Sequence, residues 1–166
     1  LHFVDAAGKE RAIGSRALSR ACGEEVVEVD DPYHRKRMRY VAIGLRCVLE
    51  RGFADSGGAA GQRDRGLLLR ALDGYTRPVA GRELLEDGAY LAIGEPDRMQ
   101  GGTTGSRFSP IDRRRVDPAP FYLVWKGVAR NDPHETPWPY QLSRIEVAPF
   151  ETTFPRTVPS DLPRSD

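Results

Sequence analysis

The chain has 166 residues and a mass of 18.5 kDa, enough for one ordinary domain but not for two full cores. Its 39% hydrophobic and 30% charged content is too apolar for a disordered chain, and no apolar run approaches the roughly 20 residues of a spanning helix. With 25 basic against 24 acidic residues the net charge is +1, which excludes partners recruited by bulk electrostatics, such as nucleic acid.

Residues 1–4 and 10–13 flank the Ala7-Gly8 turn and read as a hairpin. Ser15 is placed to cap a helix that runs to Cys22 and stops at Gly23. A strand follows over 24–29, where Val26, Val27 and Val29 supply β-branched bulk. The polar, proline-bearing stretch 30–36 reads as a loop or wide hairpin, and a strand resumes at 39–43. Leu45, Val48 and Leu49 then fall at helical spacing up to Gly52.

Residues 55–65 read as an exposed flexible loop. Strands are expected at 66–72 and 75–79 around the Asp73-Gly74 turn, a helical turn at 82–86, and another strand at 89–93. The stretch 94–119 shows no sustained apolar period and is long for a structureless loop, which marks it as functional, partly disordered or partner-bound. Phe121-Tyr122-Leu123-Val124-Trp125 is the most apolar strand and the expected centre of a sheet. A polar loop at 131–139 leads to a last strand at 140–147, and prolines at 149, 155, 159 and 163 make the rest an extended tail. The chain is thus read as one α+β domain over 1–148, with mixed sheets and short helices, plus a proline-rich tail over 149–166.

Two polar loops share a chemistry. Asp30, Asp31 and His34 stand in one; Asp132, His134 and Glu135 stand in the other. Brought together, His34, His134, Asp132 and Glu135 would suit a divalent metal; kept apart, Asp-Pro and Asn-Asp-Pro simply start turns. None of the eight serines sits in a G-x-S-x-G elbow, and the run 101–105 lacks the Lys-Ser/Thr of a phosphate loop. Cys22 and Cys47 lack C-x-x-C spacing and fall in helix-like segments, so both are expected to be buried free thiols. Trp125 and Trp138 bracket the second loop, and Arg113, Arg114 and Arg115 form a local basic knot; these five are the candidate partner contacts. The excess of arginine over lysine, 22 to 3, fits a GC-rich genome. A start at Leu1 without methionine fits a processed or trimmed chain.

Several segments over 24–148 resemble the molybdopterin-binding domain of the sulfite-oxidase-like oxidoreductases. They are the strand-loop-strand-helix passage ending in Ile43-Gly44-Leu45-Arg46-Cys47-Val48-Leu49, the passage Ala71-Leu72-Asp73-Gly74-Tyr75 with Arg82-Glu83-Leu84-Leu85-Glu86 and Ala89-Tyr90-Leu91-Ala92-Ile93, and the closing strands 120–124 and 140–147. The resemblance implies that fold, and it implies a pterin site around Asp30, Asp31, His34, Asp73 and Tyr75. It also implies a molybdenum-ligand cysteine in the loop after the strand at 26–29. Here that loop reads Asp30-Asp31-Pro32-Tyr33-His34, without cysteine. Molybdopterin is therefore possible only without its thiolate, and no cofactor is the expectation. The closing segments resemble small exported bacterial members associated with c-type cytochromes, although no Cys-x-x-Cys-His occurs. Together these imply a periplasmic, non-catalytic accessory subunit that docks a c-type cytochrome or a periplasmic dehydrogenase subunit. The alternatives are a molybdopterin- or metal-dependent oxidoreductase, or a small-ligand binding protein using the Tyr75, Trp125 and Trp138 surface.

Overall fold

Alternation of inward and outward side chains builds the chain's longest hairpin. Val27, Val29 and Asp31 point inward from β3 (Glu25–Asp31), as do Met38, Tyr40 and Ala42 from β4 (Lys36–Gly44). The computed structural model describes residues 1–100, 105–111 and 114–148. Before this hairpin come β1 (His2–Val4), β2 (Glu10–Ala12) and helix α1 (Ser15–Cys22), which buries Leu18. After it come α2 (Leu45–Gly52), α3 (Gly58–Gly61), β5 (Gly66–Ala71), β6 (Thr76–Ala80), α4 (Gly81–Leu84) and β7 (Ala89–Gly94). The short α5 (Pro96–Met99), β8 (Tyr122–Trp125) and β9 (Leu142–Val147) complete the order.

Two sheets result. One has the order β2-β1-β9-β5-β6, with β9 parallel to β1 and antiparallel to β5; the other is the antiparallel β3-β4-β7-β8. This is an α+β architecture, as expected, with one continuous core that runs from Leu1 to Ile145. Core contact is tight where α2 meets β1: a Cβ on Gly52 would lie 2.2 Å from the Phe3 ring, so only glycine fits there.

Several expectations need correction. Gly14, not Ser15, precedes the first turn of α1 as its cap. Of the two readings of 30–36, a loop or a wide hairpin, the structure has a hairpin, narrower than expected because β3 runs through Asp31 and pairs with Lys36 across a turn of four residues. Residues 55–65 are ordered: Glu50 accepts the Ala59 N–H at 2.9 Å, and buried Gln62 donates to the carbonyls of Ser56 and Gly58 at 3.0 Å each. The described parts of 94–119 are also anchored. Phe108 and Ile111 enter the core, Glu95 accepts from the Ser109 hydroxyl at 2.8 Å, and Ile111 pairs with Val116. β8 is an edge strand rather than a central one. It is buried because the Leu123 N–H donates to the Pro139 carbonyl at 3.0 Å and because the sheet curls until β3 and β8 approach each other. The proline-rich tail, 149–166, lies outside the described residues.

The two cysteines are not free thiols. Packing of α1 against α2 brings Cys22 and Cys47 into a disulfide with a Cα–Cα distance of 5.8 Å. No helix among the described residues is long and apolar enough to cross a membrane. A crosslink between residues 25 apart stabilises by about 3 kcal/mol through loss of unfolded-chain entropy. Reduction, or the double change Cys22→Ser and Cys47→Ser, is therefore expected to lower the unfolding free energy by about that amount in a denaturant titration. An unchanged midpoint under reducing conditions would show that the two sulfurs are not joined.

Candidate functional site

The turn between β3 and β4 is closed by one side chain. Asp31 is 2% exposed. Its Oδ1 accepts the backbone N–H groups of Tyr33 and His34 at 2.9 Å each. Its Oδ2 accepts the hydroxyls of Tyr40 at 2.7 Å and Tyr122 at 3.1 Å. Four donors thus compensate the desolvation of a carboxylate that is in no ion pair among the described residues. Burial, and then the neighbouring Asp31, push both phenols above the usual tyrosine range, so they remain donors. The turn can be short because the Asp31 side chain takes the place of a backbone acceptor and Arg35 adopts φ +55°.

Two concavities flank this turn. On one side lies an open groove of about 660 Å³ lined by residues of both polar loops, including Asp30, Arg35, Lys36, Arg37, Asn131 and Asp132. The fold therefore does bring the two loops together, as the metal hypothesis required. The second loop is pinned by Arg77 of β6, which donates to the carbonyls of Pro133 and His134 at 3.1 Å each. Asp132 accepts the His134 N–H at 2.9 Å, which is the turn-starting role of an Asn-Asp-Pro sequence. Arg37 faces Asp30 at 3.7 Å and Glu28 at 3.4 Å, so the groove carries both signs of charge.

On the other side is a cleft of about 110 Å³ formed by Tyr33, Asp73, Tyr75, Trp138, Pro139 and Tyr140. Three separate elements supply it: the β3–β4 turn, the β5–β6 turn and the segment before β9. Tyr33 and Tyr140 meet edge to face, with centroids 5.4 Å apart and planes at 88°. Asp73 holds its turn by accepting the Tyr75 N–H at 2.9 Å. The Tyr33 phenol is pushed up to about 12, first by burial and then by Tyr140, Tyr75 and Asp31, with Arg77 opposing.

The expected site residues divide cleanly. Asp73 and Tyr75 do share a cleft, and its neighbour Tyr33 connects them to the Asp31 turn. Asp30 and Asp132 line the groove, while His134 and Glu135 are exposed on the second loop. His34 lies on the turn, and its Nε2 is buried without a hydrogen-bond partner among the described residues. Among the described residues no group of three or more His, Cys, Asp and Glu side chains is arranged to hold a metal ion.

Trp125 and Trp138 require correction as partner contacts, since they are 0% and 2% exposed. Their indole N–H groups donate to the carbonyls of Pro137 at 2.7 Å and Arg130 at 2.6 Å, so both rings pin the 126–139 segment from within. Arg114 and Arg115 are exposed, and Arg113 lies outside the described residues. Tyr33 and Arg77 were not singled out from the sequence. A tyrosine after Asp-Asp-Pro offers a weak signal, and Arg77 offers none, because its carbonyl partners lie 56 and 57 residues away. Compared with known proteins, the chain matches no protein-family model and no curated protein.

The site geometry yields a pH signature. A folded phenol value near 12, above the ordinary value of about 10, means that Tyr33 stabilises the fold fully below pH 10. That contribution fades as pH rises through 12. The difference in ultraviolet phenolate absorbance between the wild type and Tyr33→Phe is expected to titrate near pH 12. A difference titrating near the ordinary value would show that the Tyr33 ring is in open solvent.

Proposed function

We propose that this chain is a non-catalytic accessory module of a periplasmic redox complex, built on a sulfite-oxidase-like scaffold that has lost its molybdenum thiolate. The single observation that carries this reading is the Cys22–Cys47 disulfide. It occupies both cysteine sulfurs of the chain, and neither stands in the loop where the resemblance calls for a ligand cysteine. Asp31, which does stand there, has its two oxygens engaged by four donors and is a hard ligand where a soft thiolate is needed. The residues present thus do not fit a molybdenum centre of that kind. Disulfides persist in oxidising compartments, which is compatible with an exported protein.

Docking is assigned to the charged groove beside the turn. Asp30, Arg35, Lys36 and Arg37 of the hairpin and Asp132 of the facing loop offer a polar surface of mixed charge suited to a fast, transient encounter. Such a contact is what a c-type cytochrome or dehydrogenase subunit would make with a module that does no chemistry of its own.

A single purification tests the reading. Tagged protein recovered from a native host that makes molybdopterin is expected to carry far less than one molybdenum atom per chain. It should also bring down a haem- or flavin-containing protein, with recovery falling at high salt and in the variant Arg35→Glu/Lys36→Glu. Stoichiometric molybdenum, or another transition metal, would favour an oxidoreductase instead. Metal-free protein recovered without any chromophore-bearing partner would remove the docking role.

A further inference from the structure

The aromatic cleft lies outside the docking groove and has no part in the accessory role proposed above. Two of its walls, the rings of Tyr33 and Tyr140, stand at right angles, with an 88° angle between their planes. A flat ring stacks between parallel faces, whereas perpendicular π faces suit a rounded group that touches several rings at once. The space, about 110 Å³, is of the size of a small head group rather than an extended cofactor.

Charge narrows the class further. Aromatic faces are negative, and four aromatic side chains line this one cleft. Asp73 stands with them, its Oδ1 fixed by the Tyr75 N–H, and it is in no ion pair among the described residues. Asp31 lies behind Tyr33, close enough to act on its phenol. The opposing charge among the described residues, Arg77, has its guanidinium directed to the carbonyls of Pro133 and His134. An anion would meet Asp73 without a compensating donor, and a neutral apolar group would leave that carboxylate unused.

Exposure gives an independent reason to expect an occupant. Among the described residues only Val26, Leu72 and Tyr75 are large hydrophobic side chains with high exposure. Two of the three, Leu72 at 64% and Tyr75 at 49%, flank the same Asp73-Gly74 turn at the cleft.

We propose that the cleft walled by Tyr33, Tyr75 and Tyr140, with the buried Trp138 ring beneath them, binds a methylated ammonium head group, with Asp73 supplying the counter-charge. The head group can belong to a small soluble amine or to a choline lipid; the chemistry recognised is the same.

Choline chloride is the probe, with 3,3-dimethylbutan-1-ol as its uncharged isostere. Binding is read by tryptophan fluorescence, since Trp138 lines the cleft. Choline is expected to saturate the signal and to bind about tenfold or more tightly than the isostere. Tyr75→Leu is expected to weaken choline by about tenfold, and Asp73→Asn by several-fold while keeping an oxygen for the Tyr75 N–H. Tyr75 and Asp73 are exposed, so the unfolding midpoint of each variant should stay near that of the wild type, which separates loss of binding from loss of fold. Saturation by free choline in solution places the source in soluble amines. A clear preference for phosphatidylcholine over phosphatidylglycerol vesicles, lost in Tyr75→Leu, places it in lipid. Equal affinity for choline and its isostere would overturn the proposal, as would no saturation with either source up to about 100 mM choline. Neither result bears on molybdenum content or partner recovery, so the docking role stands or falls separately.

Discussion

Four hydrogen-bond donors converge on the Asp31 carboxylate, and they come from three places in the chain: the turn that follows it, the facing strand β4, and the distant strand β8. A buried carboxylate without a cation is costly unless its lone pairs are filled, and a charge-assisted bond contributes about 1.5–3 kcal/mol. The curled four-stranded sheet depends on this arrangement. Tyr122 reaches across from one edge strand to the end of the other, so the sheet meets itself at Asp31. Tyr40 and Tyr122 also contact each other edge to face, 5.7 Å between centroids, which fixes both hydroxyls on one oxygen.

The same side chain decides what the surface can do. By holding the turn to four residues, Asp31 lifts Tyr33 to one side and Arg35, Lys36 and Arg37 to the other. The aromatic cleft and the charged groove are therefore two faces of one turn. Each is completed by the loop before β9, which Arg77, Trp125 and Trp138 secure from behind. The Asp31 carboxylate is thus committed to structure, and the concave features are displaced to its neighbours.

Local patterns in the sequence account for much of the fold. The alternation of Val27 and Val29, and the turn residues Asp73-Gly74, place β3, β5 and β6 to within one or two residues. The helical spacing of Leu45, Val48 and Leu49 places α2. What was illegible is long-range. The pairing of Cys22 with Cys47 depends on how α1 crosses α2, and no spacing rule encodes it. The apolar run 121–125 looked central because central strands are buried on both faces, yet here burial comes from the sheet's curl and the Pro139 carbonyl. Trp125 and Trp138 looked available because they flank a polar loop, but carbonyls inside that loop take their N–H groups. At the candidate site, Asp73 and Tyr75 were legible through the Asp-Gly turn. Tyr33 and Tyr140 join them only because the two sheets meet at the Asp31 turn.

The most direct test of this arrangement is a double-mutant cycle of unfolding free energies with Asp31→Ala and Tyr122→Phe. A structural clasp requires the two changes to be strongly coupled, by about 1.5 kcal/mol or more. Effects that simply add, to within about 0.5 kcal/mol, would mean that Asp31 does not join the two edges of the sheet, and its carboxylate would again be available for other chemistry.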